Sequence, residues 1–133
     1  MDIKLRKDVP SRKGPATNFT GAVYQDPIYD AAPPASVRSV LVHFEPGART
    51  AWHTHPLGQT LYIASGIALV QSWGEPVQEL RPGDVVYFGP DEKHWHGAAP
   101  GHFMSHVAIQ ESVNGSHVTW MEHVSDEQYS GKA

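Results

Sequence analysis

The sequence predicts a single all-β domain with its strands arranged as a sandwich or barrel. The first observation is that short runs rich in β-branched, aromatic and aliphatic residues recur at close intervals from residue 36 onward. The second is that turn signals containing glycine or proline separate these runs. The third is that this stretch shows no helical period of useful length. Many short strands with evenly spaced turns are typical of antiparallel sandwiches and barrels.

The predicted strands follow one another along most of the chain. They cover residues 19–24, 36–44, 51–55, 59–64, 67–73, 77–80, 85–88, 93–97, 103–111 and 117–124. The prolines of residues 1–35 predict an arm that packs across the domain or across a partner subunit, and residues 36–124 form the barrel. In the tail, residues 125–133, Ser125 followed by Asp126 and Glu127 predicts the start of a very short helix.

The composition argues against several classes of function. A chain of 133 residues is long enough for one domain with one substantial core. Its formal net charge of −4, with lysine and arginine scattered, argues against nucleic acid as a partner. The charged N-terminus does not fit a signal peptide, and no run has the length of about 18 apolar residues that a membrane span needs. We therefore expect a soluble, cytoplasmic protein without a membrane partner.

A histidine pair followed by a glutamine predicts a metal site in the barrel. His53 and His55 are two residues apart, so on a strand both imidazoles point to the same face. Gln59 follows after a short turn and opens the next apolar run. Because the chain contains no cysteine, any metal must be held by nitrogen and oxygen donors. Two imidazoles and one amide oxygen supply three such donors.

A second histidine pair can complete this site. His94 and His96 also share one face of a predicted strand, and either can provide the fourth ligand. Neutral imidazole and carbonyl oxygen suit divalent Mn, Fe, Co, Ni or Zn, so the donor types leave the metal open. Either histidine could instead be structural, His96 by packing beside the ligands. Trp52 and Trp95 alternate to the opposite face and are interpreted as core residues.

Two further predicted strands carry residues of interest on one face. His106 and Gln110 lie four residues apart and share a face of the strand at 103–111. His106 could be a functional group or a buried histidine with satisfied hydrogen bonds. One face of the strand at 36–44 carries Val40, Val42 and Phe44. The histidines interpreted as ordinary surface or edge residues are His43, His102, His117 and His123.

The spacing of these residues resembles the two sequence motifs of the cupin family. The first motif is matched by Gly47, His53, His55, Gln59 and Gly66. Residues 83–90, continuing to His94, resemble the second motif. Most cupins carry glutamate where this chain has Gln59. The turn of the second motif also departs from the family, at Gly89, Asp91 and Ala98. The resemblance implies a jelly-roll β-barrel that binds a metal.

A narrower resemblance runs from residue 13 almost to the end of the chain. This sequence is similar to the manganese-dependent hydroxynitrile lyases, which are small, single-domain bacterial cupins. The likeness is densest over residues 44–61, 82–100, 106–111 and 120–129. It implies that His106 is the catalytic base and that the chain forms a homo-oligomer, either a dimer or a tetramer. It also implies that Mn²⁺ is bound by His53, His55, Gln59 and His94.

The resemblance implies the cleavage of (R)-cyanohydrins such as mandelonitrile into an aldehyde or ketone and hydrogen cyanide. A hydroxyl group bound to a divalent metal becomes more acidic, which is Lewis-acid activation. His106, neutral near pH 7, would accept the hydroxyl proton. His96 or Gln110 would hydrogen-bond the departing cyanide. The apolar wall for the aryl or alkyl group would consist of Val40, Val42 and Phe44.

Two other classes of function remain open. One is a different metal-dependent cupin enzyme, such as a dioxygenase or an isomerase, and the other is a non-catalytic cupin that binds a small molecule. Oxygen chemistry at iron typically uses a carboxylate ligand, so the neutral Gln59 counts against a dioxygenase. In a binding module, His106 and Gln110 would be surplus. A metal held by neutral ligands keeps its full charge, which suits the stabilisation of an oxyanion.

Overall fold

Two antiparallel β-sheets dominate the computed structural model, which describes residues 1–132. Their strands are β1 (Arg12–Lys13), β2 (Phe19–Thr20), β3 (Val23–Asp30), β4 (Val37–Phe44), β5 (Arg49–Thr50), β6 (His53–Thr54), β7 (Gln59–Gly66), β8 (Ala68–Ser72), β9 (Gln78–Leu80), β10 (Val85–Phe88), β11 (His94–Ala98), β12 (Met104–Glu111) and β13 (Thr119–Trp120). A 3₁₀ turn at Arg6–Asp8 precedes the strands, and helix α1 (Asp126–Tyr129) follows them. Among the described residues, no helix has the length and apolar character needed to cross a membrane.

The first sheet has the strand order β1-β3-β4-β12-β7-β10. The second sheet has the order β13-β6-β11-β5-β2, with β8 paired to β11 and β9 paired to β8. Apolar side chains from both sheets meet in the core, including Phe44, Leu61, Ile63, Ala68, Val70, Ala98 and Met104. The predicted all-β jelly roll is therefore confirmed.

The alternation of side chains along the strands determines what faces the interior. In β7, Leu61 and Ile63 are completely buried, whereas Tyr62 between them is 47% exposed. The register of β12 against its two neighbours pairs His106 with Val42 of β4, and places Gln110 beside β7. The inner face of the first sheet thus carries both the apolar core and several buried polar groups.

The predicted strand at 19–24 is divided in the structure into β2 and the start of β3, and the rest of β3, to Asp30, was not predicted. Strand β3 pairs with β4 over most of its length and with β1 on its other side, so it lies inside the first sheet. Pro27 argues against a strand in the sequence, because proline cannot donate a hydrogen bond to a β-ladder. The pairing register shifts between Pro27 and Tyr29, and this irregularity accommodates the proline.

Two predicted strands, at 51–55 and 117–124, are much shorter in the structure. Only β6 remains of the first, and only β13 remains of the second. The backbone between them is nevertheless hydrogen-bonded: the Trp52 amide donates to the Glu122 carbonyl, and the Met121 amide donates to the Trp52 carbonyl. These bonds bring the C-terminal segment against the histidine-bearing strand β6.

The predicted short helix is confirmed as the single turn α1. The Ser125 hydroxyl accepts a hydrogen bond from the backbone N–H of Gln128. The Gln128 side-chain oxygen accepts one from the backbone N–H of Ser125, and the two bonds form a capping box. The Tyr129 hydroxyl donates to the Ala98 carbonyl at 2.6 Å, which fixes the helix against β11. The last residue of the predicted tail, Ala133, lies outside the described residues.

Gly66 ends β7 at a point where the chain passes very close to the start of β12. Its φ angle is +75°, in the left-handed region that side chains disfavour. A Cβ atom at this position would lie 1.8 Å from the Phe103 carbonyl oxygen. Both the backbone conformation and the available space therefore require glycine.

Candidate metal centre and active site

Four predicted ligands meet at one end of the space between the sheets. Strand β6 carries His53 and is paired with β11 so that His53 stands directly opposite His94. The ring centre of His53 lies 4.2 Å from the ring centre of His94 and 5.1 Å from that of His55. Gln59 begins β7 on the facing sheet, and its Oε1 lies 3.1 Å from His94 Nε2. The structure thus brings together His53, His55, Gln59 and His94.

Hydrogen bonds to the backbone orient three of these imidazoles. The Nδ1 atom of each ring faces a carbonyl oxygen, and because a carbonyl only accepts, each Nδ1 must donate. The three contacts are His53 to Ala51 at 2.9 Å, His55 to His117 at 2.6 Å and His94 to Glu92 at 2.8 Å. Each neutral ring therefore keeps its lone pair on Nε2. This arrangement, with one nitrogen fixed and the other free, is typical of metal-binding histidines.

Gln59 is oriented by a second glutamine. Its Nε2 donates to Gln110 Oε1 at 3.1 Å, which turns the amide oxygen of Gln59 toward the histidines. That oxygen faces His94 Nε2, whose hydrogen is absent because Nδ1 carries it. Two acceptors therefore oppose each other in a buried site, and His55 Nε2 is buried with no hydrogen-bond partner among residues 1–132. A bound cation would satisfy these acceptors, so the residues fit a divalent metal.

Burial keeps these imidazoles neutral. Loss of solvation lowers the pKa of His94 to about 3 and that of His55 to about 4. The pKa of His53 is also well below its ordinary value, because burial and the neighbouring histidines disfavour its charged form. At neutral pH, metal binding would require no deprotonation of these ligands.

His96 also approaches the cluster. One nitrogen from each of His53, His94 and His96 lies within 4.8 Å of the other two. This compact group differs from the predicted ligand set because it contains His96 and omits His55. The environment of His96 is different, however, since its Nδ1 lies 2.9 Å from His106 Nε2 and not against a carbonyl oxygen.

His96 and His106 form a buried pair beside the candidate ligands. His106 is completely buried, and loss of solvation lowers its pKa to about 3, so the ring is neutral. The outer nitrogens, His96 Nε2 and His106 Nδ1, are both buried and have no hydrogen-bond partner among the described residues. The pair therefore keeps unused proton-binding capacity next to the cluster.

A pocket between the sheets opens onto both groups of histidines. It is lined by His53, His55, Gln59, His96, His106 and Gln110, together with Val40, Val42 and Phe44. The Phe44 ring lies 5.3 Å from the His106 ring, so the apolar wall adjoins the candidate base. All residues that the sequence analysis named for the metal site, the base and the wall, except His94, line this pocket. His94 is not among the lining residues, but its ring centre lies 4.2 Å from that of His53.

Several residues of the site were missed from the sequence. His117 was interpreted as a surface or edge residue; its carbonyl accepts a hydrogen bond from His55 Nδ1, and the residue lines the pocket. This contact could not be predicted, because a backbone carbonyl leaves no signal in residue type. Phe88 stacks on His94 with ring centres 3.7 Å apart, and Trp120 lies 4.7 Å from His53. The buried Trp52 and Trp95 pack as predicted, in a separate core cluster.

The chain is similar to known proteins over nearly its whole length. A family model described as Cupin domain matches residues 40–106. An (R)-mandelonitrile lyase from Granulicella tundricola is 58% identical over 129 residues, covering 97% of this chain and 98% of that protein. A crystal structure of a cupin-like protein from Thermotoga maritima is 38% identical, with a TM-score of 0.84 and coverage of 97% and 95% of the two chains. The polyketide cyclase RemF from Streptomyces resistomycificus shares the fold, with a TM-score of 0.74 at 16% identity over 98% and 91% of the two chains.

Proposed function

This chain belongs to the cupin family, and we propose that it is a metal-dependent hydroxynitrile lyase acting on (R)-cyanohydrins such as mandelonitrile. The products would be an aldehyde or ketone and hydrogen cyanide, and the reverse reaction would form the cyanohydrin. The observation that carries the proposal is a cluster of neutral donors, His53, His55, Gln59 and His94, lying beside the His96–His106 pair in one pocket. The similarity to a mandelonitrile lyase over nearly the full chain supports the same reaction.

The metal is proposed to be Mn²⁺, with Fe, Co, Ni or Zn fitting the same donor types. The three oriented Nε2 atoms and the Gln59 oxygen would hold it. When bound, such an ion supplies Lewis-acid polarisation of a hydroxyl or carbonyl oxygen. Since none of these four donors is charged, the ion would keep its full positive charge, which favours an oxyanion. This is why Gln59, where most cupins carry glutamate, supports a charge-stabilising role over redox chemistry.

His106 is the proposed base. The cyanohydrin gives its hydroxyl proton to His106 while the carbon–carbon bond breaks and its electron pair leaves with cyanide. His106 then returns the proton to cyanide, which departs as hydrogen cyanide. Burial lowers the pKa of His106 to about 3, so the ring is in its proton-accepting form at neutral pH and releases a proton readily. Its contact with His96 fixes the ring beside the pocket.

The other pocket residues would position the substrate. His96 and Gln110 both line the pocket and would hydrogen-bond the departing cyanide. Gln110 also orients Gln59, because its side-chain oxygen accepts a hydrogen bond from Gln59 Nε2. The apolar wall would exclude water and accept the aryl or alkyl group, and it consists of Val40, Val42 and Phe44.

We also propose that the chain forms a homo-oligomer. The outer face of the first sheet exposes several apolar and aromatic side chains, namely Tyr62, Val85, Tyr87 and Ile109. Such a surface supports association of copies, because exposed apolar patches commonly mark interfaces. Light scattering on the purified protein would distinguish monomer, dimer and tetramer.

The lyase proposal is tested by following benzaldehyde release from each enantiomer of mandelonitrile. We expect release from the (R)-enantiomer that is lost after chelation and restored by adding manganese. Free manganese with heat-denatured protein provides the control for uncatalysed decay. Absence of any metal-dependent release would contradict the proposal, and oxygen uptake with a candidate diol or flavonoid would instead indicate a dioxygenase.

A further inference from the structure

A second cavity adjoins the active-site pocket, and we call this cavity the mouth. The two cavities share four lining residues, Gln25, Val40, Gln110 and His117, so they lie next to each other. Beyond these shared residues, the mouth is lined mainly by charged side chains, namely Lys4, Arg12, Asp30 and Arg38. A ligand that enters the histidine pocket from this side passes these charges first.

The strand register connects the charged residues to the reactive ones. One row across the inner face of the first sheet runs from Asp30 through Arg38 and Gln110 to Gln59. Two strand spacings, or about 10 Å, therefore separate the Arg38 backbone from that of Gln59. A second row on the same face, separated from the first by the row through Val40, runs from Arg12 to Gln25, and from there through Val42 to His106.

The mouth is positively charged although the chain as a whole is negative. Three cationic side chains line it against one carboxylate, whereas the chain carries a formal net charge of −4. Arg38 pairs with Asp30 at 3.3 Å, and with the Asp30 side chain 58% exposed this pair is easily exchanged for another anion. Within the described residues, neither Lys4 nor Arg12 forms an ion pair with a carboxylate.

We propose that this cationic mouth, formed by Lys4, Arg12 and Arg38, binds a carboxylate on the substrate. The inference rests on the proposed lyase function, and it names the substrate class as cyanohydrins, or the corresponding aldehydes, that carry a carboxylate. Because the Arg38 and Gln59 backbones are about 10 Å apart, a carboxylate carried several bonds from the reacting carbon, as on an aromatic ring, suits this arrangement. Cyanide itself is a poorer match for the mouth, because hydrogen cyanide is mainly uncharged at neutral pH.

The test compares two substrates that differ only in charge. The cyanohydrin of 4-carboxybenzaldehyde carries the carboxylate, and the cyanohydrin of its methyl ester does not. In the manganese-loaded Lys4→Gln/Arg12→Gln double variant, we expect kcat/KM for the carboxylate substrate to fall about fivefold and for the ester to change less than twofold. Added salt should reduce kcat/KM in wild type only for the carboxylate substrate. Arg81→Gln is the matched control, since it removes an exposed cation outside the mouth.

Binding separates this inference from the lyase proposal. Titration calorimetry with 4-carboxybenzaldehyde and with benzaldehyde measures recognition without turnover. If neither cyanohydrin is cleaved but the double variant loses about fivefold in affinity for 4-carboxybenzaldehyde alone, the anion site stands and the lyase function fails. If the double variant affects charged and uncharged ligands equally, or no more than Arg81→Gln does, the anion site is overturned. A thermal unfolding curve matching wild type shows that the variant is folded.

Discussion

The donor cluster predicts a strong coupling between metal binding and thermal stability. The perturbation is removal of the metal by chelation, followed by return of manganese. When free metal exceeds the dissociation constant 100-fold, a ligand that binds only the folded state stabilises it by about 2.7 kcal/mol. For a domain of 133 residues, each kcal/mol corresponds to about 4 °C in Tm. We therefore expect manganese to raise Tm by about 10 °C.

The variant Gln59→Leu makes this prediction specific to the cluster. Leucine removes the oxygen that faces His94 and also removes the bond to Gln110. If the affinity falls 100-fold, the same manganese concentration stabilises by only about 0.4 kcal/mol, so Tm rises by about 2 °C. Without metal, Gln59→Leu should differ from wild type by about 1 kcal/mol or less, because the lost hydrogen bond is offset by relief of two opposed acceptors.

The assay is differential scanning calorimetry on the metal-free protein with and without manganese. His123→Gln is the matched control, because His123 is exposed and lies outside the pocket. It should show the full wild-type shift. An unchanged wild-type Tm on adding manganese, or a full shift in Gln59→Leu, would refute the reasoning that these donors form the metal site.

Three further predictions concern charge, space and orientation. The metal-free protein should lose stability as the pH falls from 6.5 toward 4. In this range the histidines of the unfolded chain bind protons, whereas the buried histidines of the folded protein, whose pKa values are lowered, stay neutral. Each such histidine contributes up to about 1.4 kcal/mol per pH unit, and acid titration followed by circular dichroism would show unfolding in this window; a midpoint below pH 4 would contradict it. Gly66→Ala should give little folded protein, since its Cβ would collide with the Phe103 carbonyl; a wild-type Tm would show that the backbone moves freely there. Gln110→Leu should weaken manganese affinity about fivefold by releasing the Gln59 amide, measured by metal titration; unchanged affinity would show that this bond does not position the ligand.

Much of the site was predictable because it depends on the two-residue period of β-strands. The period aligned His53 with His55, and it placed His106 and Gln110 on the inner face of one strand, as the burial of both confirms. The fold followed from the same alternation and from the turn residues. Gln59 could be singled out because its residue type departs from a motif whose spacing is intact.

The rest depends on contacts that residue type does not encode. The His117 carbonyl that orients His55 comes from a segment far along the chain, and any residue there could supply it. Most of strand β3 was not predicted, because proline within a run argues against a strand. The irregular pairing around Pro27 is what allows the strand to continue. The hydrogen bond between Gln59 and Gln110 likewise depends on two strands being adjacent in the sheet.

The most direct test of the proposed metal site and base measures bound manganese and benzaldehyde release together in two variants. In the proposed mechanism, His55 binds the metal and His106 accepts the proton. His55→Ala should therefore lose both bound metal, by elemental analysis, and activity on (R)-mandelonitrile. His106→Ala should keep its metal and lose about 100-fold or more in kcat. If His106→Ala retains full activity, or if His55→Ala binds manganese as wild type does, the division of roles proposed for this site is contradicted.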